Sequence, residues 1–380
     1  MQIAIIGAGV IGLALGWRLA QGGAAVTIFE RDQPGQGASF AAAGMLAAAC
    51  EAEPGEAALG TLSRASLALW PDFAAELEAA SGQSVGLRRE GTLLVALNRD
   101  DAEKLRHDMA FQQSQGITLE WLTPAETRLR EPRLGPNLAG AISSPQDIQV
   151  DNRRLTQALV TAFTRAGGVL HSQTPITGIA TAHGRATGVI SAGNTHPADL
   201  VVLAAGAWSA LLDLPIPRPP IRPVKGQMLA VQMDPADPLL RHVVWAPRAY
   251  LVPRADGRLI IGATVEERGF DDRITAGGLF SLLDGAWRAL PGIEDLPILE
   301  SWVGFRPGSR DDAPLLGPSE LPGLSLATGH HRNGILLTPI TAEAMATSIL
   351  TDTPDPRIAP FHPARFTQAQ PHPHLERKIA

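Results

Sequence analysis

Cysteine occurs once in 380 residues, as Cys50. No disulfide can close within the chain and no cysteine cluster can hold a metal. That usage fits a reducing compartment, and the cytoplasm is the expected location. No run of five basic residues interrupts a chain of net charge −6, which argues against nucleic acid as a partner. No stretch of 18 apolar residues is free of charge, so neither a transmembrane helix nor a membrane partner is expected. Residues 1–10 are apolar, but they lack a basic leader and glycines break the run, so they are not read as a signal peptide. Tyrosine is as rare as cysteine: Tyr250 is the single example.

What is present is apolar. The hydrophobic share of 45% supports a sizeable core, and the length points to one large or two intimate domains. Residues 2–6 read as a buried strand, residues 12–20 as a helix stopped by Gly22-Gly23, and residues 25–30 as a second strand ending on an acid. This β-α-β unit carries Gly7-Ala8-Gly9-Val10-Ile11-Gly12. Gly7 permits a sharp turn out of the strand, Gly9 lets backbone N–H groups approach a pyrophosphate, and Gly12 lets the helix pack on the sheet. Glu30, 18 residues after Gly12, is placed to accept hydrogen bonds from ribose hydroxyls. The pattern predicts a dinucleotide site and does not separate FAD from NAD.

Further along, residues 38–49 are rich in alanine and favour a helix on composition. Residues 59–80, 101–113 and 153–166 read as helices, the last with Leu155, Leu159 and Phe163 at spacing four. Residues 91–97, 169–171, 188–191 and 200–204 read as strands. Five prolines within residues 215–223 exclude helix and central strand, and predict a crossing between regions. Residues 227–232, 250–253 and 258–263 then suggest an antiparallel sheet. Residues 339–350 predict a last helix with Thr341 as its cap, and the chain from Phe361 reads as a loosely ordered tail.

Five segments share an order with a known family. They are Ala41-Ala42-Ala43-Gly44-Met45-Leu46, the run from Val201 to Ser209 containing Ala205-Gly206-Ala207-Trp208, Pro223-Val224-Lys225-Gly226-Gln227, Gly304-Phe305-Arg306-Pro307-Gly308, and the run from Gly329 to Leu337. On these the chain resembles the FAD-dependent amine oxidases of the D-amino-acid oxidase group, from residue 1 to about residue 350. The resemblance implies an α/β (α+β two-domain) fold: a Rossmann-like, glutathione-reductase-type FAD-binding domain with an antiparallel-sheet substrate domain. It assigns residues 1–85, 140–220 and 305–365 to the first, 86–139 and 221–304 to the second, and 366–380 to a flexible tail.

The resemblance also implies contacts. Val10, Ile11, Glu30 and Arg31 would hold the ADP portion of noncovalent FAD, beside the glycine loop. Ala38 and Ser39 would reach the phosphates, and Ala43, Gly44 and Met45 the flavin ring. Ile176 would supply backbone to the adenosine part, and Ala205, Gly206 and Trp208 would also contact the cofactor. His330, His331, Arg332, Asn333, Gly334, Ile335 and Leu336 would wrap the pyrimidine edge, and the following helix would point its N-terminus at the ring. Arg306 would pair with a substrate carboxylate, Tyr250 would donate a second hydrogen bond, and Arg332 would close the amine side through its backbone carbonyl.

The implied activity is oxidative deamination of glycine and other small primary or secondary amines. Hydride passes to flavin N5 without a protein acid or base or a metal, and O2 is reduced to hydrogen peroxide. Supply of the thiazole branch of thiamine synthesis and a homotetramer are implied as well. Val265 stands where relatives carry methionine, which suggests a broader amine range. Two alternatives stand beside this: a sarcosine or D-amino-acid oxidase or quinone-linked dehydrogenase of the same fold, and a non-catalytic FAD-binding subunit.

Overall fold

Four of the five residues of β1 (Gln2–Ile6) are buried, as expected of a strand covered on both faces. The chain turns at Gly7 into helix α1 (Val10–Gln21) and returns as β2 (Ala25–Phe29). Both strands run parallel, with Ile5 opposite Ile28, and β1 pairs on its other side with Leu200–Leu203. The computed structural model describes residues 1–366.

Around β1 and β2 forms a six-stranded sheet, extended by Val169–His171 at one edge and by Leu324–Thr328 and the antiparallel Leu315–Pro318 at the other. Helices α1, Ala57–Ser81, Asn152–Arg165 and Thr338–Thr351 share one apolar core on this sheet, with Trp17, Trp70 and Phe163 fully enclosed. A second sheet has eight strands, in the order Ile298–Gly308, Arg222–Gln232, Arg258–Gly262, Ala249–Pro253, Val243–Ala246, Thr92–Ala96, Gly140–Ser144, Glu120–Leu122. Its pairings are antiparallel except between Val243–Ala246 and Thr92–Ala96. Helix Ala276–Ala289 covers it through Leu282, Ala286 and Ala289. A small antiparallel sheet, Gly178–Ala182 to Asn194–Pro197, completes the layout.

Four expectations change. The alanine-rich stretch is helical only over α2 (Ala38–Ala41), because Gly44 adopts φ +71 and a Cβ there would lie 2.0 Å from the Val150 carbonyl oxygen. The chain then pairs Met45–Leu46 with Ile148–Gln149. Proline enters a central strand: Pro223 lies in Arg222–Gln232, opposite Pro307. It is tolerated because backbone pairing on the strand's other side ends at Lys225 and Glu266, so the missing N–H of Pro223 faces no acceptor there. The last helix begins at Thr338 with Leu337 at its cap position and Pro339 in its first turn, which places Thr341 inside it. Phe361 is buried in the main core, so the ordered chain runs past the expected start of the tail. Within the expected 366–380 tail, Phe366 closes a short helical turn and residues 367–380 lie outside the described residues.

Candidate active site

One cavity of about 940 Å³ runs from the β1–α1 turn to the eight-stranded sheet. At its first end the glycines act through backbone conformation and through space. Gly7 has φ +106, and a Cβ on Gly12 would sit 2.0 Å from the Gly7 carbonyl oxygen. Gly12 therefore packs helix against turn and does not line the cavity, whereas Gly7, Gly9, Val10 and Ile11 do. Gly9 is the cap residue of helix α1 and offers no side chain, and the Val10 N–H donates to Ser39 Oγ at 3.0 Å. The Glu30 carboxylate accepts from the Ala8 N–H at 2.8 Å, which fixes it at the end of β2 on the cavity wall. Arg31 and Trp208 line the same end, with the guanidinium 3.8 Å above the indole ring. Ala38, Ile176, Ala205 and Gly206 complete it.

Ala43, Gly44 and Met45 line the middle of the cavity. A residue the sequence did not single out pins them. Arg254 is buried, and its guanidinium donates to the carbonyls of Ala43 (2.6 Å) and Val150 (3.0 Å) and to the side chains of Gln149 and Asn152. Burial pushes its pKa down to about 10, with Asp151 opposing. Facing this segment, His330, His331, Arg332, Gly334 and Ile335 line the cavity, and Asn333 and Leu336 do not. Asn333 borders a smaller neighbouring cavity. Leu336 is core, its carbonyl accepting from Ser66 and Trp70. The His330 Nε2 lies 3.1 Å from Thr341 Oγ1, and burial lowers its pKa to about 3, so the ring is neutral. Burial likewise lowers His331 to about 4.

The far end is polar. Tyr250 lies over Gly262: a Cβ at 262 would sit 2.6 Å from its hydroxyl. Arg306 lies over Gly226, where a Cβ would sit 2.7 Å from Nη1. The Arg306 guanidinium is half-buried and donates to the Thr264 carbonyl at 3.2 Å. It forms no ion pair among the described residues. Burial raises the Tyr250 phenol pKa, against the opposing pull of the neighbouring Arg306 guanidinium, so the hydroxyl keeps its proton. Arg332 differs: its guanidinium is held by Glu51 (3.1 Å), Glu56 (2.9 Å) and Glu53 (3.3 Å). Val265 is 73% exposed on the cavity rim. Sequence reading gave no role of their own to Gly226, Gly262, Arg254 and Glu51. Gly226 lies inside a quoted motif and Gly262 inside a predicted strand, and an acid closing the alanine-rich segment was the available cue for the last.

The fit to a dinucleotide rests on these features. The cavity volume suits a large cofactor, the glycine turn leaves no side chain against it, and Glu30 stands at the end of β2.

Comparison with known proteins agrees. The model of the FAD dependent oxidoreductase family matches residues 2–348. Glycine oxidase of Geobacillus kaustophilus is 38% identical over 95% of this chain and 96% of its own. Its crystal structure superposes with a TM-score of 0.89, covering 96% of this chain and 98% of that one. A bifunctional ThiO/ThiG protein of Trichormus variabilis is 39% identical over 96% of this chain, which spans about half (55%) of that longer protein.

Proposed function

The chain belongs to the FAD dependent oxidoreductase family, and from that premise we propose that it oxidises glycine and other small primary or secondary amines to the oxo acid, ammonia or amine, and hydrogen peroxide. When bound, FAD supplies the two-electron sink.

One observation carries the substrate class: Arg306 is a half-buried cation on the cavity wall, and no carboxylate among the described residues pairs with it. Arginine in such a place is normally paired, and its planar fork matches a carboxylate bidentately. The other nearby guanidinium, Arg332, is already held by three carboxylates. The site therefore offers one anchor for one carboxylate. Tyr250 donates a second hydrogen bond to that carboxylate, and the Arg332 backbone carbonyl receives an amine N–H. Anchored at both ends, the substrate turns its Cα–H toward the cavity middle, and holding that geometry is the protein's main contribution. No acid or base of the chain acts in the hydride step. On the cofactor side, Gly7, Gly9, Val10, Ile11, Glu30 and Ser39 hold the diphosphate and ribose, while Ala43 to Met45 and His330 to Ile335 bracket the ring noncovalently.

The same reading assigns the six-stranded sheet to the cofactor domain and the eight-stranded sheet to the substrate domain. It includes supply of the thiazole precursor for thiamine, as suggested by likeness to ThiO/ThiG, a cytoplasmic location and a homotetramer. No helix among the described residues is long and apolar enough to cross a membrane. Peroxide production with glycine, sarcosine and D-proline tests the activity. Oxidation of these amines without peroxide would instead indicate a quinone-linked dehydrogenase.

A further inference from the structure

We propose that Glu51 takes up the proton that the ammonium group of a small amino acid sheds on entering the cavity. This rests on the amine-oxidising reading above and adds a named proton acceptor to it. An amino acid arrives in water as a zwitterion, and its nitrogen lone pair is available to assist loss of hydride from Cα only after one N–H proton has gone. In the transfer, the N–H bond breaks, its electron pair stays on nitrogen, and the proton forms an O–H bond on Glu51.

Three features of the site support this. Glu51 lines the same cavity as Arg306 and Tyr250, and its side chain keeps 13% exposure. Its backbone is fixed, because the preceding N–H groups of Ala49 and Cys50 donate to the buried Asp147 carboxylate at 2.9 and 2.7 Å. The carboxylate is also half-used. Oε2 accepts from Arg332 Nε at 3.1 Å, while Oε1 has no hydrogen-bond partner among the described residues.

The charge balance favours uptake. Arg332 faces Glu51, Glu53 and Glu56, so one guanidinium answers three carboxylates. Protonating Glu51 leaves Arg332 paired with Glu56 at 2.9 Å and Glu53 at 3.3 Å, so no buried cation is orphaned. The other charged or titratable groups acting on Glu51 are Arg306, Asp147, Tyr250 and Cys50. Burial raises the Glu51 carboxyl to about 7, against the pull of Arg332 and with the help of Asp147. A carboxyl of that basicity is charged above neutrality and holds a proton far better than an exposed glutamate.

The test uses the FAD-loaded enzyme and its Glu51→Gln and Glu51→Asp variants. It compares the pH dependence of kcat/KM for glycine with the affinity for glycolate, which keeps the carboxylate and has no amine. Glu51→Gln should lower kcat/KM roughly 10²-fold at pH 8. Its profile should still be climbing about tenfold per pH unit at pH 8, because the variant must capture amine that is already neutral in solution, whereas the wild type has levelled above about pH 7. Glycolate affinity should stay within about threefold, and Glu51→Asp should restore the level region. Parallel profiles for wild type and Glu51→Gln, or equal losses for glycine and glycolate, would overturn the proposal while leaving amine oxidation intact. A wild-type flavin that no amine reduces would overturn the underlying reading, and the proposal with it.

Discussion

Arg306 lies flat across Gly226, its Nη1 2.7 Å from the point a Cβ at 226 would occupy. The contact is built by register: Gly226 pairs with Gly304, and Arg306 with Val224, on adjacent antiparallel strands. A guanidinium aimed this closely is sensitive to a single methyl group. Gly226→Ala should therefore raise the glycine KM by roughly tenfold or more through misplacement of the guanidinium, with FAD content unchanged. Steady-state kinetics with flavin absorbance as the occupancy control would check this.

Arg306→Ala removes the anchor itself. Truncating one partner of a buried charge pair costs about 2–5 kcal/mol, so affinity for glycine should fall roughly 30- to several thousand-fold. FAD content should stay normal. Near-normal kinetics with glycine would exclude Arg306 as the carboxylate anchor.

Arg254→Leu should act on stability and on the cofactor together. It leaves the carbonyls of Ala43 and Val150 without their donor, a loss of about 3–5 kcal/mol by analogy with broken buried polar networks. Urea unfolding of the variant should show that loss, and gel-filtered protein should retain less FAD than wild type.

These expectations differ in how far the sequence alone supports them. The β1–α1–β2 unit was legible because its cues are local: a strand, three spaced glycines, a helix and an acid within 30 residues. Arg306 and Tyr250 stood out through rarity and rigid neighbours. Arg254 did not, because its partners Ala43 and Gln149 lie 211 and 105 residues away along the chain. The alanine-rich segment misled for a related reason. Its composition favours helix, and what stops the helix at Ala41 is Gly44 meeting Val150, a contact that exists only once the chain has folded.

His330 gives a pH prediction. Its pKa is about 3 in the folded protein against an ordinary 6.5. Between these values the unfolded chain binds a proton that the folded one refuses, so stability falls as the pH drops from about 6.5 toward 3. Above 6.5 both states are neutral at this residue and it contributes no slope. The stability difference between wild type and His330→Gln, followed by urea unfolding at stepped pH, should move against the wild type across that window.

The central claim is that a small amino acid, anchored by Arg306, gives up its hydride in this cavity. Anaerobic titration of the FAD-loaded protein with glycine tests it most directly. Bleaching of the oxidised flavin absorbance by glycine, much weakened in Arg306→Ala, is the predicted result. A spectrum left oxidised by glycine, sarcosine, D-alanine and D-proline alike would contradict it.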